Sequence, residues 1–251
     1  MNLVTWNVNS LKARIPRVLE FLDQFAPDVV CLQETKAEAA TFPALELQAA
    51  GYESHHHSAG RWAGVAILAR TGLALEDAAC GLAGEMVPSE ARWCEATVGG
   101  LRVASVYVTN GRAIGTPPFE EKLAFLDAMA ERAPNVDVIL GDFNVAPADA
   151  DVYDPAAFVG STHVTPEERS RLEAILDKGF VDAYRHLHPD TPQFTWWVYR
   201  QGQFHRGLGM RLDLAFLRQE LAPRLRRCGI ERDYRKGTKP SDHAPLVIEL
   251  D

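Results

Sequence analysis

Carboxylate, amide and imidazole side chains stand beside short apolar runs at several points of the sequence. Glu34 and Asp142 each follow such a run, and His243 precedes one. A carboxylate at the end of a buried strand is costly unless a cation compensates it. For Glu34 that cation is a hard divalent ion such as Mg²⁺ or Mn²⁺, which prefers oxygen ligands, or a lysine or arginine side chain. The position of Glu34 therefore indicates a metal site or a salt bridge.

Asp142 and Asn144 are two residues apart in the segment Gly-Asp-Phe-Asn. On extended backbone, residues i and i+2 point to the same side, so the carboxylate and the amide would share one face. The carboxylate could then accept a proton from water while the amide orients that water or a phosphate oxygen. The alternative is an Asx-type turn at the end of a strand.

His243 directly follows Asp242, and adjacent residues on a regular strand cannot face the same partner. We therefore expect a different acid, Asp213, to orient the imidazole. A histidine held by a carboxylate can stay cationic and stabilise negative charge on a phosphoryl oxygen. A structural histidine in the core is the alternative.

Asn7 and Tyr107 also end apolar runs, and with the residues above they match the needs of phosphodiester hydrolysis. That reaction requires a base that activates water, a Lewis acid, and polar or cationic groups around the phosphoryl group. The sequence has neither a Gly-X-Ser-X-Gly nucleophile elbow nor a glycine-rich phosphate loop. Metal-assisted hydrolysis is therefore the favoured chemistry.

The strands that must position these residues are short and apolar. Several runs are too continuously apolar to have a solvated face, which predicts sheets buried on both sides. The predicted strands are Leu3–Trp6, Val29–Leu32, Gly64–Leu68, Leu101–Val108, Val136–Leu140, Leu212–Leu217 and Leu246–Leu250.

Helical patterns lie between the strands. Apolar residues recur at spacings of three and four over 11–25, with Ser10 as the expected N-cap, and again over 119–131. Thr165 and Glu168 match a capping box at the start of a third helix. Strands that alternate with helices predict an α/β fold.

Length and composition place the chain among ordinary globular proteins. Its 251 residues, without a low-complexity linker, predict one domain over 1–251, and its four scattered cysteines do not indicate a disulfide framework. The sequence shows neither a membrane span nor a secretory signal, so we expect a cytoplasmic protein without a membrane partner. A monomer is expected because no coiled-coil pattern is present.

Charge is distributed unevenly along the chain. The net charge is −8, yet residues 199–239 contain eleven Lys and Arg against four Asp and Glu, a local net charge of +7. This basic block is either an ordinary solvated surface or a patch that faces phosphate groups.

Seven segments of the chain resemble the exonuclease III-type apurinic/apyrimidinic endonucleases, which belong with deoxyribonuclease I to the endonuclease/exonuclease/phosphatase superfamily. In this order and at these spacings the set is highly specific, and it covers nearly the whole chain. The segments are Trp6–Arg14, Leu32–Lys36, Gly64–Ala66, Tyr107–Gly111, Gly141–Asn144, Arg211–Asp213 and Lys239–Pro245.

The resemblance implies a four-layered α/β sandwich, in which two mixed β-sheets pack face to face and helices flank them. It implies Mg²⁺- or Mn²⁺-dependent attack of water on the DNA backbone, which leaves a 3′-hydroxyl. The reaction would be cleavage 5′ to abasic sites, trimming and unblocking of 3′ ends, or both. Duplex DNA with abasic sites or damaged 3′ ends is the implied partner.

The resemblance also assigns roles by matching position. The implied metal ligands are Glu34, the principal one, with Asn7, Asn9 and Asp242 nearby. The implied catalytic residues are Asp142 as general base, Asn144 to orient water or phosphate, Tyr107 on the scissile phosphate, and His243 paired with Asp213 to stabilise the transition state. The implied substrate and DNA contacts are Asn110, Trp196, Met210, Leu212, Arg211, Trp62 and His163.

Three tryptophans carry distinct expectations. Trp196, with Met210 and Leu212, matches positions that line an apolar slot for a base-less deoxyribose, which a normal nucleotide would not fit. Trp197 is expected in the core. Trp62 is expected to be an exposed loop aromatic near DNA.

The sequence departs from the family pattern at three positions. Thr109 stands where proline is usual, and Met210 replaces a bulkier or branched residue of some relatives. His163 occupies a position where members that incise internal sites carry a small residue. We expect its imidazole to obstruct continuous duplex and to favour 3′-end trimming over internal incision.

Two other functions remain open. Some superfamily members hydrolyse phosphoesters other than DNA, and a DNA-binding scaffold without catalysis is conceivable. The scaffold is disfavoured because every catalytic position keeps a competent side chain. The run His55–His57 is expected to lie in a solvated loop and receives no role.

Overall fold

The computed structural model describes residues 1–251 and contains twelve strands and six α-helices. The strands are β1 Asn2–Asn7, β2 Val29–Gln33, β3 Tyr52–His57, β4 Val65–Arg70, β5 Leu75–Cys80, β6 Trp93–Val98, β7 Leu101–Tyr107, β8 Val138–Asp142, β9 Phe180–Asp182, β10 Asp213–Arg218, β11 Leu225–Ile230 and β12 Leu246–Leu250. The helices are α1 Leu11–Phe25, α2 Ala44–Ala49, α3 Pro117–Arg132, α4 Pro166–Leu176, α5 Ala183–Leu187 and α6 Gln203–Arg206. None of the helices has the length and apolar composition needed to cross a membrane.

The strands form two mixed sheets of six strands each. The first has the order β11-β12-β1-β2-β4-β3, and the second has the order β5-β6-β7-β8-β10-β9. Within each sheet one central pair is parallel, β1 with β2 and β7 with β8, and the other pairs are antiparallel. The predicted sandwich of two mixed sheets flanked by helices is confirmed.

Three apolar clusters explain why the central strands are apolar on both faces. In β2, Val29 and Cys31 point into the core between the two sheets, whereas Val30 and Leu32 pack in the outer cluster under α1. On the other sheet, Ile139 of β8 belongs to the outer cluster that α3 and α4 cover. A central strand of a four-layered sandwich therefore has no solvated face.

The three predicted helices are present, and α1 spans the predicted residues Leu11–Phe25. α3 contains the predicted 119–131, and Thr165 and Glu168 form the predicted capping box of α4, with Thr165 Oγ1 accepting from Glu168 N at 3.1 Å. The expected N-cap of α1 is wrong. Ser10 has a φ of +89° and makes no capping bond with its side chain. Its N–H donates instead to the carbonyl oxygen of Glu34 at 2.7 Å, which ties the start of α1 to the end of β2.

Strands β3, β5, β6, β9 and β11 were not predicted, and one of them overturns an expectation. His55–His57 lies in β3, an edge strand, rather than in a loop. The rings are half-buried, and that of His56 stacks on Phe42 with centroids 3.9 Å apart. Three identical polar residues hide the alternation by which a strand is identified, so periodicity could not find β3.

Register brings the ends of the central strands to a common edge. Tyr107, the last residue of β7, lies opposite Asp142 at the end of β8, and Asp142 lies opposite Asp213 at the start of β10. On the other sheet Asn7 ends β1, directly opposite Gln33 at the end of β2. The polar residues that follow these strands therefore meet between the two sheets.

Candidate active site

Asn7 joins two carboxylates that belong to different sheets. Its Nδ2 lies 2.8 Å from Glu34 Oε1 and 2.8 Å from Asp142 Oδ2, and its Oδ1 accepts from the main-chain N–H of Asn9 at 2.9 Å. Asn7 is fully buried, so this amide fixes the separation of the two acids. The expectation that Asn7 is itself a metal ligand does not fit its orientation, because it presents N–H groups rather than its oxygen to the acids.

Asp142 and Asn144 combine the two arrangements that the sequence left open. Asp142 Oδ1 accepts from the main-chain N–H of Asn144 at 2.9 Å, which is an Asx-type turn. The Asn144 amide also lies 3.4 Å from Asp142 Oδ2 and donates to Val108 O at 2.8 Å. Burial, with the charges of Asp213 and Glu34, raises the pKa of Asp142 to about 7 against the opposing charge of His243.

The expected pair of His243 and Asp213 is present. Nδ1 of His243 lies 2.7 Å from Asp213 Oδ2, and Nε2 lies 3.7 Å from Asp142 Oδ2. Burial opposes a charge on His243, but Asp213 and Asp142 raise the pKa of its imidazole to about 10. The environment therefore favours the imidazolium form, and His243 lies among charged groups rather than in an apolar core.

Glu34 makes the salt bridge that was the alternative to a metal. Its Oε2 lies 2.7 Å from Nζ of Lys36, which also donates to Asn9 Oδ1 at 2.6 Å. Ligand atoms of Glu34, Asp142 and His243 nevertheless lie within 4.8 Å of one another. Because His243 Nδ1 is engaged by Asp213, the carboxylate oxygens of Glu34 and Asp142 are the groups that fit a hard divalent cation.

Asn9 and Asp242 form a separate pair beside this centre. Asn9 Nδ2 donates to one oxygen of Asp242 at 3.0 Å, and Trp196 Nε1 donates to the other at 3.2 Å. Burial opposes the charge, but nearby His243 and these hydrogen bonds hold the pKa of Asp242 below its ordinary value. Asp242 thus links the acidic centre to Trp196.

Tyr107 lies beside the same acids. Burial and the negative charges of Glu34 and Asp142 raise the pKa of its hydroxyl well above the ordinary value. The guanidinium group of Arg92 lies 5.0 Å from the centre of its ring. Tyr107 is therefore a neutral hydrogen-bond donor at the site.

His163 is held at the rim by two bonds that define its tautomer. Nδ1 lies 2.5 Å from the carbonyl oxygen of Asn144, and Nε2 lies 3.1 Å from Nδ2 of the exposed Asn110. Because a carbonyl can only accept and an amide NH₂ can only donate, the ring is neutral with its proton on Nδ1. Burial and the charge of Lys122 accordingly lower the pKa of His163 to about 4.

A buried ion pair behind the rim was missed by the sequence analysis. Lys122 on α3 and Glu168 on α4 are both inaccessible and in direct contact. Lys122 Nζ donates to Asn144 O at 2.7 Å, and Glu168 accepts from the main-chain N–H of His163 at 2.9 Å. One signal could have found Lys122, because it lies on the apolar face of α3, three residues after Phe119.

The expectation that Arg211 contacts DNA is wrong. Its side chain is 0% exposed and forms ion pairs with Asp151 at 2.7 Å and with Asp182 at 2.8 Å. A guanidinium group enclosed by two carboxylates cannot reach a ligand, so Arg211 is a structural residue.

The predicted apolar slot is largely closed. Met210 and Leu212 are 1% and 2% exposed and pack with Ala146 and Val152, so they offer almost no surface. Of the three residues predicted to line the slot, only Trp196 is half-buried and accessible.

Trp197 is buried and Trp62 is an exposed loop residue, both as expected, while the proximity of Trp62 to DNA stays a prediction. Trp197 is buried in the core against Phe204, and Trp62 is 74% exposed in the connection between β3 and β4.

The fold and the site together define the class of protein to which this chain belongs. Two mixed sheets, flanked by helices, bring two carboxylates, an amide and a carboxylate-held imidazole to one edge, which is the arrangement of a sandwich-type phosphoesterase.

The comparisons then give the family. Residues 4–243 match the model of the endonuclease/exonuclease/phosphatase family, and the chain belongs to that family. It is 31% identical over 271 residues to the exodeoxyribonuclease III of Haemophilus influenzae, with all of both chains covered. The predicted membership of the exonuclease III-type group is confirmed.

Two solved structures agree with the whole fold. An AP endonuclease from Archaeoglobus fulgidus has a TM-score of 0.95 and 33% identity, covering 100% of this chain and 99% of that one. The 3′-5′ exonuclease NExo from Neisseria meningitidis has a TM-score of 0.94 and 36% identity, with both chains fully covered.

Proposed function

We propose that this protein is a DNA-repair phosphodiesterase, in which one catalytic domain over residues 1–251 hydrolyses the backbone of duplex DNA with a divalent metal. The observation that carries the proposal is the amide of Asn7, which lies 2.8 Å from carboxylates of both sheets, with His243 beside the second of them. The similarity to an exodeoxyribonuclease III and an AP endonuclease supports DNA as the substrate.

Each residue has a proposed part in the reaction. Asp142 accepts the proton of the attacking water, which the Asn144 amide orients. The new P–O bond forms as the bond from phosphorus to the 3′ oxygen breaks, and that oxygen takes up a proton to become the 3′-hydroxyl. His243, held by Asp213, and Tyr107 donate hydrogen bonds to the phosphoryl oxygens, where negative charge increases.

Mg²⁺ is the proposed cofactor, and Mn²⁺ is expected to replace it. Glu34 would hold the ion, with Asn9 and Asp242 nearby. When bound, it supplies a Lewis acid that neutralises phosphoryl charge. Lys36, which pairs with Glu34 at 2.7 Å, would compete with the ion for that carboxylate.

We further propose that 3′-end trimming dominates over incision at internal abasic sites. His163 is fixed at the rim of the site by Asn110 and Asn144, so its ring cannot move aside without breaking two hydrogen bonds. The similar NExo is described as a 3′-5′ exonuclease, which supports this choice. Trp196, Asn110 and the basic residues of 199–239 other than the buried Arg211 are the proposed contacts to DNA, with Trp62 nearby.

A gel assay with three duplexes tests the proposal. They carry an internal abasic analogue, a 3′-phosphate, or a plain recessed 3′ end. We expect faster product formation at the two 3′-end substrates, loss of all activity with EDTA and in Asp142→Asn, and a gain of internal incision in His163→Gly. Activity on soluble phosphoesters alone would instead favour a non-DNA substrate.

Oligomeric state and location complete the proposal. The protein is proposed to act as a cytoplasmic monomer. Light scattering after size exclusion should then give a mass close to 27.7 kDa.

A further inference from the structure

A cavity of about 280 Å³ lies between helix α6 and the segment 235–240 that leads into Asp242 and His243. Three basic residues line it, Arg235, Lys236 and His205, and no carboxylate does. Lys236 pairs with Asp233 at 2.6 Å, but both side chains are more than half exposed, so the pair is screened by solvent. The cavity is therefore positive on balance.

Arg235 is buried without a counter-ion. It is 7% exposed, its Nη2 donates to the carbonyl oxygen of Trp197 at 3.2 Å, and its buried Nε has no hydrogen-bond partner. Its guanidinium carbon lies 4.8 Å from the ring centre of Tyr199 and 5.4 Å from that of Phe204. Aromatic faces stabilise a cation only partly, and the charge of Asp242 acts on Arg235 without forming an ion pair with it.

The other two buried lysine and arginine side chains of this chain each have a carboxylate partner, which Arg235 lacks. Arg211 is enclosed by two carboxylates at 2.7 and 2.8 Å, and Lys122 contacts Glu168 directly. Arg235 is the one buried Lys or Arg that forms no ion pair. Because an uncompensated buried charge is costly, its retention indicates an anionic ligand.

Two arginines of α1 add to the positive potential. Arg17 donates to the carbonyl oxygen of Lys236 at 3.3 Å, and Arg14 donates to Tyr199 Oη at 3.0 Å. The Nε atoms of both are buried without a partner. Arg14 and Arg17 therefore contact residues that line the cavity, with part of their hydrogen-bonding capacity unused, although Arg17 also pairs with Glu20 at 2.6 Å.

We propose that this cavity binds a phosphate group, with Arg235 as the principal ligand and Lys236 and His205 beside it. The planar guanidinium matches the oxygen geometry of phosphate. The phosphate belongs either to the backbone of bound DNA or to a free mononucleotide, and in this respect the inference rests on the proposed function. Tyr199, which donates to Pro240 O at 2.9 Å, connects the cavity to the segment that carries Asp242.

Thermal unfolding with increasing inorganic phosphate, at constant ionic strength and with EDTA, tests the site. Arg235→Gln and Lys236→Gln are compared with Arg70→Gln, an exposed arginine on β4 that pairs with Asp28 and lies outside the basic block. We expect phosphate to bind about tenfold more weakly to Arg235→Gln, because one charge-assisted hydrogen bond is lost. For Lys236→Gln we expect binding to be about threefold weaker. Arg70→Gln should equal the wild type. Lys236 is exposed, so that variant keeps the test decisive if Arg235→Gln does not fold.

Binding of duplex DNA and of a 5′-nucleoside monophosphate separates the two sources. If the phosphate belongs to the DNA backbone, the negative slope of the logarithm of the DNA association constant against the logarithm of the salt concentration should become shallower by about 0.9 in Lys236→Gln. For a free mononucleotide, the slope stays constant and the mononucleotide competes with phosphate. Equal phosphate affinity in all variants would overturn the inference. A wild type without nuclease activity but with this pattern would instead refute only the proposed function.

Discussion

The ammonium group of Lys122 donates a 2.7 Å hydrogen bond to the main-chain carbonyl oxygen of Asn144, although the residues are far apart in sequence. Asn144 has a φ of +50°, in the left-handed region that few residues adopt without support. The same peptide segment presents the Asn144 amide to Asp142. A buried cation of the outer helical layer therefore holds the backbone that orients a proposed catalytic group.

Replacing Lys122 by methionine should destabilise the protein by about 3–5 kcal/mol, because Glu168 would remain buried without its cation. Urea unfolding measures this change. The double variant Lys122→Met/Glu168→Gln should recover much of the loss, while Lys12→Met on the exposed face of α1 serves as the matched control. A double variant no more stable than Lys122→Met would contradict the assigned pairing.

Stability should depend on the protonation of His163. Its pKa is about 4 in the folded protein and 6.5 when unperturbed, so the unfolded chain takes up the proton first as pH falls. The stability contributed by neutral His163 is therefore present above pH 6.5 and lost between 6.5 and 4. Lys122, Glu168 and His243 are the charged groups that act on it. In His163→Gln the decline over this range should be smaller by on the order of 2 kcal/mol, as measured by urea unfolding at several pH values.

His243 and Asp213 should act as one unit in catalysis. His243→Ala should lower kcat about 10²–10³-fold, because a hydrogen bond to the developing charge is lost. Asp213→Ala should lower kcat by a similar factor, and the double variant should be little worse than either single one. Steady-state rates at saturating Mg²⁺ measure this, with the exposed Asp177→Asn as control. Multiplicative losses would show that the two residues act independently.

Metal affinity should depend on Glu34. Glu34→Gln removes the negative charge that a hard cation requires, and the Mg²⁺ concentration for half-maximal activity should rise at least about tenfold. Glu38→Gln changes an exposed carboxylate four residues away and should leave that concentration unaltered. An unchanged Mg²⁺ requirement in Glu34→Gln would remove Glu34 from the proposed metal ligands.

Arg211 should affect folding and not DNA binding. Arg211→Met leaves Asp151 and Asp182 buried without their cation, so the free energy of unfolding should fall by about 3–5 kcal/mol. The affinity of the folded protein for duplex DNA should stay within twofold of the wild type. If the variant is fully folded but binds DNA much more weakly, Arg211 contacts DNA despite its burial, and the structural role assigned to it is wrong.

Local patterns in the sequence determined much of the fold. The apolar runs that became β1, β2, β4, β7, β8, β10 and β12 are continuous because both faces of these strands are covered. The capping box of Thr165 was predicted because its two members are three residues apart. The residues Glu34, Asp142, Asp213 and His243 could be named from chemistry and family resemblance, since Glu34 and Asp142 follow such runs and Asp213 and His243 stand at or before the start of one.

Only the tertiary structure decided which of these groups touch. Asp213 meets His243, and Asn7 joins Glu34 to Asp142, because the register of two packed sheets brings strand ends together, and no local pattern encodes that register. Burial is likewise a property of the whole molecule. Arg211 and Arg235 are both basic residues within the 199–239 block, yet the fold encloses the first between two acids and leaves the second without one.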